Sequence, residues 1–130
     1  YEKKEKQSPK RYKNLITAKI FNKDYQLEIA GTLSRGREPL LVEINGYETE
    51  SHLDGYIVIV KNEDRPRIIG PFATALGDAG VNIASMKVAR QTKGQNAVML
   101  VNVDNKVEED VLNSLSKLDG ITGKPKLLHF

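Results

Sequence analysis

Residues 56–103 read YIVIVKNEDRPRIIGPFATALGDAGVNIASMKVARQTKGQNAVMLVNV, and their pattern decides the fold. Residues 56–60 are a nearly continuous β-branched apolar run, as expected of a strand in the middle of a sheet. Residues 61–65, KNEDR, read as a polar loop, and Pro66 suits the first turn of a helix, where its missing N–H costs nothing. Ile69, Phe72 or Ala73, Leu76 and Ala79 then recur at helical spacing, with Gly80 following as a C′ glycine does. Residues 82–90 alternate, Ile83, Ser85 and Lys87 against Ala84, Met86 and Val88, which predicts a strand. A turn over 92–95 leads into a further strand over 96–103, where Ala97, Met99, Val101 and Val103 are in phase.

Toward the carboxyl end, Asn105 with Glu108 three residues on resembles a capping box. Val107, Val111, Leu115 and Leu118 mark one face of the helix it would open, and Asp119-Gly120 ends it. Residues 123–130 close with a strand that Pro125 confines to an edge or to a late start. The order from residue 56 is β-α-β-β-α-β, which predicts an α+β, ferredoxin-like unit with one antiparallel sheet and both helices on one face. Upstream, residues 14–21 and 25–31 read as a hairpin joined by the turn residues Asn22, Lys23 and Asp24, with Tyr25, Leu27 and Ile29 in alternation. A polar loop around Gly36 follows, then a strand over 40–44. Asn45-Gly46 is a strong two-residue hairpin signal, with 47–52 as the returning strand and Asp54-Gly55 as a further turn. This 14–54 piece is antiparallel and too small to bury much alone.

A chain of 130 residues fits one domain plus a smaller piece, not a complete two-domain enzyme. With no Cys, disulfide scaffolds, cysteine-ligated metals and thiol catalysis are excluded within it. No apolar run approaches the ~18 residues of a membrane span and no signal-peptide pattern opens the sequence, so a soluble cytoplasmic protein with no membrane partner is expected. The formal charge is +3, yet residues 1–14 alone carry six basic and two acidic side chains, which leaves the remainder slightly acidic. Residues 1–13 therefore read as a solvated basic tail or linker. Aromatic stacking residues are missing from the central strands apart from Tyr56, so nucleic acid is not an expected partner.

Catalytic signals are absent. His52 and His129 stand in separate segments with no discernible partner, and no Gly-rich phosphate loop or nucleophile elbow occurs. The trio Glu108, Glu109 and Asp110 matches a helix dipole and needs no metal to explain it. The informative residues are 62–66, NEDRP, before a helix, and 80–83, GVNI, after it. Backbone N–H groups at a helix start hold a carboxylate, and an Asp or Asn nearby receives an ammonium group. Asn82 starts the strand that leaves the same helix, and on this reading it lies near the loop. Such a set suits a small zwitterion such as an amino acid; the alternative is that Asp64 merely caps the helix and Asn82 merely follows a turn.

The run from Asn62 to Asp104 resembles an ACT domain, the small regulatory module that binds amino acids. It is unusually similar to the carboxy-terminal domain of the D-3-phosphoglycerate dehydrogenases, which typically read N-E-D-R-P-G-V-I-G, then G-I-N-I-A-S-M. Asn14-Leu15-Ile16, Gly31-Thr32-Leu33, Arg37-Glu38-Pro39 and Val42 to Gly46 also resemble that family. They look like the end of its intervening domain, so the resemblance implies a division into 14–54, from that domain, and 55–130, an ACT domain. It implies a carboxy-terminal piece of an enzyme that oxidises 3-phosphoglycerate with NAD in the first step of serine synthesis. The nucleotide-binding and catalytic parts of that enzyme lie elsewhere, so no cofactor is expected on this piece. L-Serine is the implied effector and pairing into a homo-oligomer the implied assembly. Asn82 matches the effector-site Asn of the family. Asn62 stands where some members have His, and Asp64 where some have Asn. Arg67 replaces a common Gly, and it either obstructs the ligand or adds a cation for its carboxylate. Arg35 and Arg37 match a possible anion site. Two alternatives accompany this reading: the corresponding part of an iron–sulfur L-serine dehydratase beta subunit, and a ligand-free dimerisation module.

Overall fold

The computed structural model describes residues 2–6, 15–21, 26–33, 38–90 and 95–130. The chain divides into two compact units, Tyr1–Leu53 and Asp54–Phe130. In the first, β1 (Glu2–Lys6), β2 (Leu15–Phe21), β3 (Gln26–Leu33), β4 (Pro39–Ile44) and β5 (Tyr47–His52) form one antiparallel sheet in chain order. Asn45 and Gly46 both have positive φ, 47° and 85°, the signature of the tight turn that matches strand twist. The Asn45 side-chain oxygen accepts from the Glu28 N–H at 2.8 Å, and the Asn45 N–H donates to the Glu28 carbonyl at 2.7 Å, so the turn is tied to β3. Leu41, Val42 and Ile44 of β4 are buried.

Residues 2–6 depart from the expected solvated tail. They pair along β2 from Glu2↔Lys19 to Lys6↔Leu15. An edge strand needs a backbone partner on one side only, and a Lys-rich sequence is what such an edge tolerates. The turn read at 22–24, the loop around Gly36 and most of the turn at 92–95 lie outside the described residues.

The second unit runs β6 (Tyr56–Glu63), α1 (Ile69–Asp78), β7 (Ile83–Arg90), β8 (Asn96–Val103), α2 (Glu109–Leu115) and β9 (Lys126–His129). The sheet order is β7-β8-β6-β9 with antiparallel neighbours, and both helices pack on one face: an α+β, ferredoxin-like fold. Val58 and Val60 of β6 and Met99, Val101 and Val103 of β8 meet Phe72 and Leu76 of α1 and Leu112 and Leu115 of α2. β6 continues through residues 61–63, read from sequence as loop, because Lys61, Asn62 and Glu63 pair with Val98, Ala97 and Asn96. Pairing with a central neighbour overrides the polar composition.

α1 begins at Ile69, not at Pro66. Arg67 has φ 69°, a left-handed conformation that cannot continue a helix. The proline that occupies the first turn is Pro71, where no intrahelical N–H is lost. The helix closes as expected at Gly80: Gly80 N–H donates to Gly77 O at 3.0 Å and Val81 N–H to Leu76 O at 3.0 Å, with Val81 and Leu76 both in the core. The capping box read at Asn105 and Glu108 does not form. The N-cap is Glu108 itself, extended and without a side-chain cap bond. Val107 is 1% exposed, and inserting it into the core keeps the preceding residues out of the helix. The later start also shifts the buried face from Val111 toward Leu112.

Gly120, φ 86°, lies in the turn before β9, and a Cβ there would stand 1.9 Å from Ile68 Cδ1. Gly120→Ala is expected to cost about 2–3 kcal/mol in denaturant unfolding, from the positive φ together with the displaced Ile68. Arg67→Gly is expected to stabilise by about 0.5–1 kcal/mol, relief of the left-handed strain outweighing the greater entropy of an unfolded glycine. Equal or lower stability of Arg67→Gly in the same measurement would count against strain at that position.

Candidate functional site

The loop between β6 and α1 is held from two sides. Glu63 N–H donates to Gly120 O at 2.8 Å, and Asp64 N–H donates to Gln95 O at 2.7 Å. Arg65 reinforces the first clamp, with Nε 2.6 Å from Glu63 Oε2 and Nη2 3.1 Å from Asp119 Oδ2. Hydrogen bonds from its guanidinium to Glu63 and then to Asp119 hold Arg65 above its ordinary range. The loop is thus fixed by the protein's own backbone and side-chain hydrogen bonds.

Asn62 is 3% exposed. Its Nδ2 donates to the Glu63 carbonyl at 2.9 Å, while its Oδ1 is buried with no hydrogen-bond partner among the described residues. Asp64 is half-buried and accepts from Arg90 Nη1 at 3.1 Å, which joins the loop to the last residue of β7. Arg67 is exposed, and no ion pair of it occurs among the described residues. It stands one residue before the N-cap of α1, Ile68, which carries no side-chain cap bond. The first turn of α1 holds no acidic side chain. This helix start therefore presents backbone N–H groups and a positive dipole end uncompensated by the helix itself.

Asn82 is not beside this loop. By register, Asn62 is level with Ala97 and Arg90, whereas Asn82 precedes Ile83, which is level with Val103 and Tyr56. α1 carries the chain from one end of the sheet to the other, so about 20–25 Å of strand separates Asn82 from the loop in one molecule. The expectation that they adjoin overlooked the length of the helix between them. At its own end Asn82 is paired with Asp104: Asn82 Nδ2 lies 2.6 Å from Asp104 Oδ2, and the Asp104 N–H donates to the Asn82 carbonyl at 3.1 Å. Sequence reading missed both Asp104 and Arg90. Register was the signal available, since Asp104 continues the ladder opposite Asn82 and Arg90 ends β7 level with Asn62.

Arg35 and Arg37 lie outside the described residues. His52 sits 3.7 Å from Glu38, and His129 stacks on Tyr56 with ring centroids 4.1 Å apart. Among the described residues no group of His, Asp and Glu is arranged to hold a metal. None of their helices is long and apolar enough to cross a membrane.

Residues 56–120 match the ACT domain. The chain is similar to D-3-phosphoglycerate dehydrogenase of Methanocaldococcus jannaschii, 35% identical over 114 residues, which are 88% of this chain and 22% of that protein. It is 29% identical to the Bacillus subtilis enzyme of the same name over 110 residues, 85% of this chain and 21% of the enzyme. A probable L-serine dehydratase beta chain of Bacillus subtilis is 32% identical over 113 residues, 85% of this chain and 51% of that one. The chain thus spans about a fifth of the length of the dehydrogenases it matches. With its βαββαβ sheet and a match over half of its residues, the chain belongs to the ACT domain family.

Proposed function

We propose that this chain is the regulatory, amino-acid-binding carboxy-terminal part of a D-3-phosphoglycerate dehydrogenase, with L-serine as the effector. The observation that carries the reading is the separation of two complementary half-sites. One end of the sheet offers a carboxylate site, the uncapped start of α1 with Arg67 beside it. The other end offers an acceptor, the side-chain oxygen of Asn82, whose amide nitrogen is held by Asp104. A zwitterion needs both, and one molecule holds them too far apart.

Side-by-side pairing of two copies solves this. β7 is an eight-residue edge strand with no neighbour on its outer side among the described residues, and unpaired edges of that length call for cover. Val88 on β7 and Ile69 on α1 are exposed at 39% and 46%, and the outer positions of α1 include the small residues Gly70, Thr74 and Gly77. A two-fold antiparallel pairing of β7 sets the start of one strand beside the end of the other. Asn82 of one copy then meets the loop, Asp64 and Arg67 of the second, and two sites form per dimer. Arg67 acts as the added cation of the two roles its place allowed, and buried Asn62 supports the loop from beneath. The residues of this chain bind and orient an effector and carry out no chemical step. NAD would serve the nucleotide-binding part of such an enzyme, in the cytoplasm.

The similarity to the serine dehydratase beta chain favours one second reading, the same regulatory module on a serine-consuming enzyme. A dinucleotide fingerprint on the same polypeptide decides for the dehydrogenase.

L-Serine at about 100 times its Kd should add about 2.7 kcal/mol of stability, seen as a raised thermal midpoint. Stabilisation by no member of a panel of amino acids would leave a ligand-free pairing module. Asp64→Ala and Asn82→Ala should each weaken binding by roughly tenfold in calorimetry. Val88→Asp should convert the dimer to monomer in sedimentation and abolish binding, although Val88 touches no ligand. Binding that persists in the monomer would refute a shared site.

A further inference from the structure

We infer that Asp104 is a positioning residue for the ligand's ammonium group, acting through Asn82. The inference rests on the amino-acid reading above and adds a residue to it. The Asn82 side chain is exposed, and an unheld amide presents either its NH2 or its carbonyl to a ligand with little preference. Asp104 removes that freedom. A carboxylate only accepts, so the 2.6 Å contact with Asp104 Oδ2 requires the amide nitrogen, and Asn82 Oδ1 faces away from Asp104 with no hydrogen-bond partner among the described residues. An ammonium group, which only donates, is the ligand chemistry this oxygen suits.

The backbone makes the pair rigid. The Asp104 N–H donates to the Asn82 carbonyl at 3.1 Å, one step beyond the Ile83↔Val103 pair, so the ladder itself sets the two side chains side by side. The carboxylate also polarises the amide it accepts from and increases the negative character of Oδ1. Asp104 thereby selects for an amine at the alpha carbon over a hydroxyl, and it does so without replacing Asn82 as the contact.

The test is calorimetry on the full chain with L-serine and with glycerate, in which a hydroxyl replaces the ammonium group. Asp104→Ala should weaken L-serine binding roughly tenfold and leave glycerate within about twofold. Asp104→Asn, whose side-chain oxygen still accepts from Asn82, should restore serine binding to within about threefold of the parent. Asp104→Ala added to Asn82→Ala should cost nothing further, since the effect runs through Asn82. Unchanged serine affinity in Asp104→Ala, or losses that add in the double variant, would overturn the assignment while leaving the amino-acid site intact. A parent chain that binds no amino acid would remove the site itself and the assignment with it.

Discussion

The antiparallel ladder between β6 and β8, eight residue pairs from Tyr56↔Val103 to Glu63↔Asn96, is the constraint on which the second unit depends. It brings Val58 and Val60 level with Val101 and Met99 and so creates the floor on which both helices lie. It also has two ends, and each end carries one half of the candidate site. At the Glu63 end the pairing runs on by one step, Asp64 N–H to Gln95 O and Glu63 N–H to Gly120 O, before Pro66 and the left-handed Arg67 turn the chain away from the sheet. At the Tyr56 end, β8 runs out beside the start of β7, and Asn82 meets Asp104 there. The distance between the half-sites is a property of this ladder and of the helix that returns along it.

Much of this was legible in residue pattern. The periodicity change from the alternation at 83–90 to the helical spacing of Phe72 and Leu76 is a local property, and it gave the element order. Asn45-Gly46 and Gly80 specify backbone conformations that few other residues reach easily, so their turns could be read without any partner. Three of the failures share one cause, which is that tertiary contact decided against local preference. Residues 61–63 are polar, yet they belong to β6 because β8 supplies partners. Asn105 has capping chemistry, yet the core's demand for Val107 delays α2. Residues 2–6 are a charged segment that β2 recruits as an edge.

The candidate site was legible in its residue types but not in its geometry. Asn62, Asp64, Arg67 and Asn82 are all polar residues at the ends of strands and helices, where binding groups concentrate. Their mutual placement depends on how far α1 travels, and that is a length rather than a motif. Ten helical residues span about 15 Å, somewhat more than half of the ~26 Å of an eight-residue strand, and the segments on either side of the helix cover the rest. Partners that follow from register, Asp104 and Arg90, carry no motif of their own and emerge only when strands are aligned.

Arg67 shows how the site and the fold are balanced. A non-glycine residue at φ 69° stores strain of about 1–2 kcal/mol, and nothing among the described residues compensates it through an ion pair of Arg67. The same turn does need the left-handed conformation, since it lets the chain leave β6, seat Ile68 against Gly120 and start α1 at Ile69. Glycine meets that need at lower cost, so strain alone gives no reason for arginine. What arginine adds is a fixed positive charge immediately before a helix start whose own first turn contains no acid. Strain retained where a charge meets a helix N-terminus is what an anion-binding loop would show. A carboxylate bound there would offset the strain by interactions that the unliganded chain does not make. The conformational cost and the proposed function then have the same origin, the arginine that this loop holds in a left-handed conformation just before the helix.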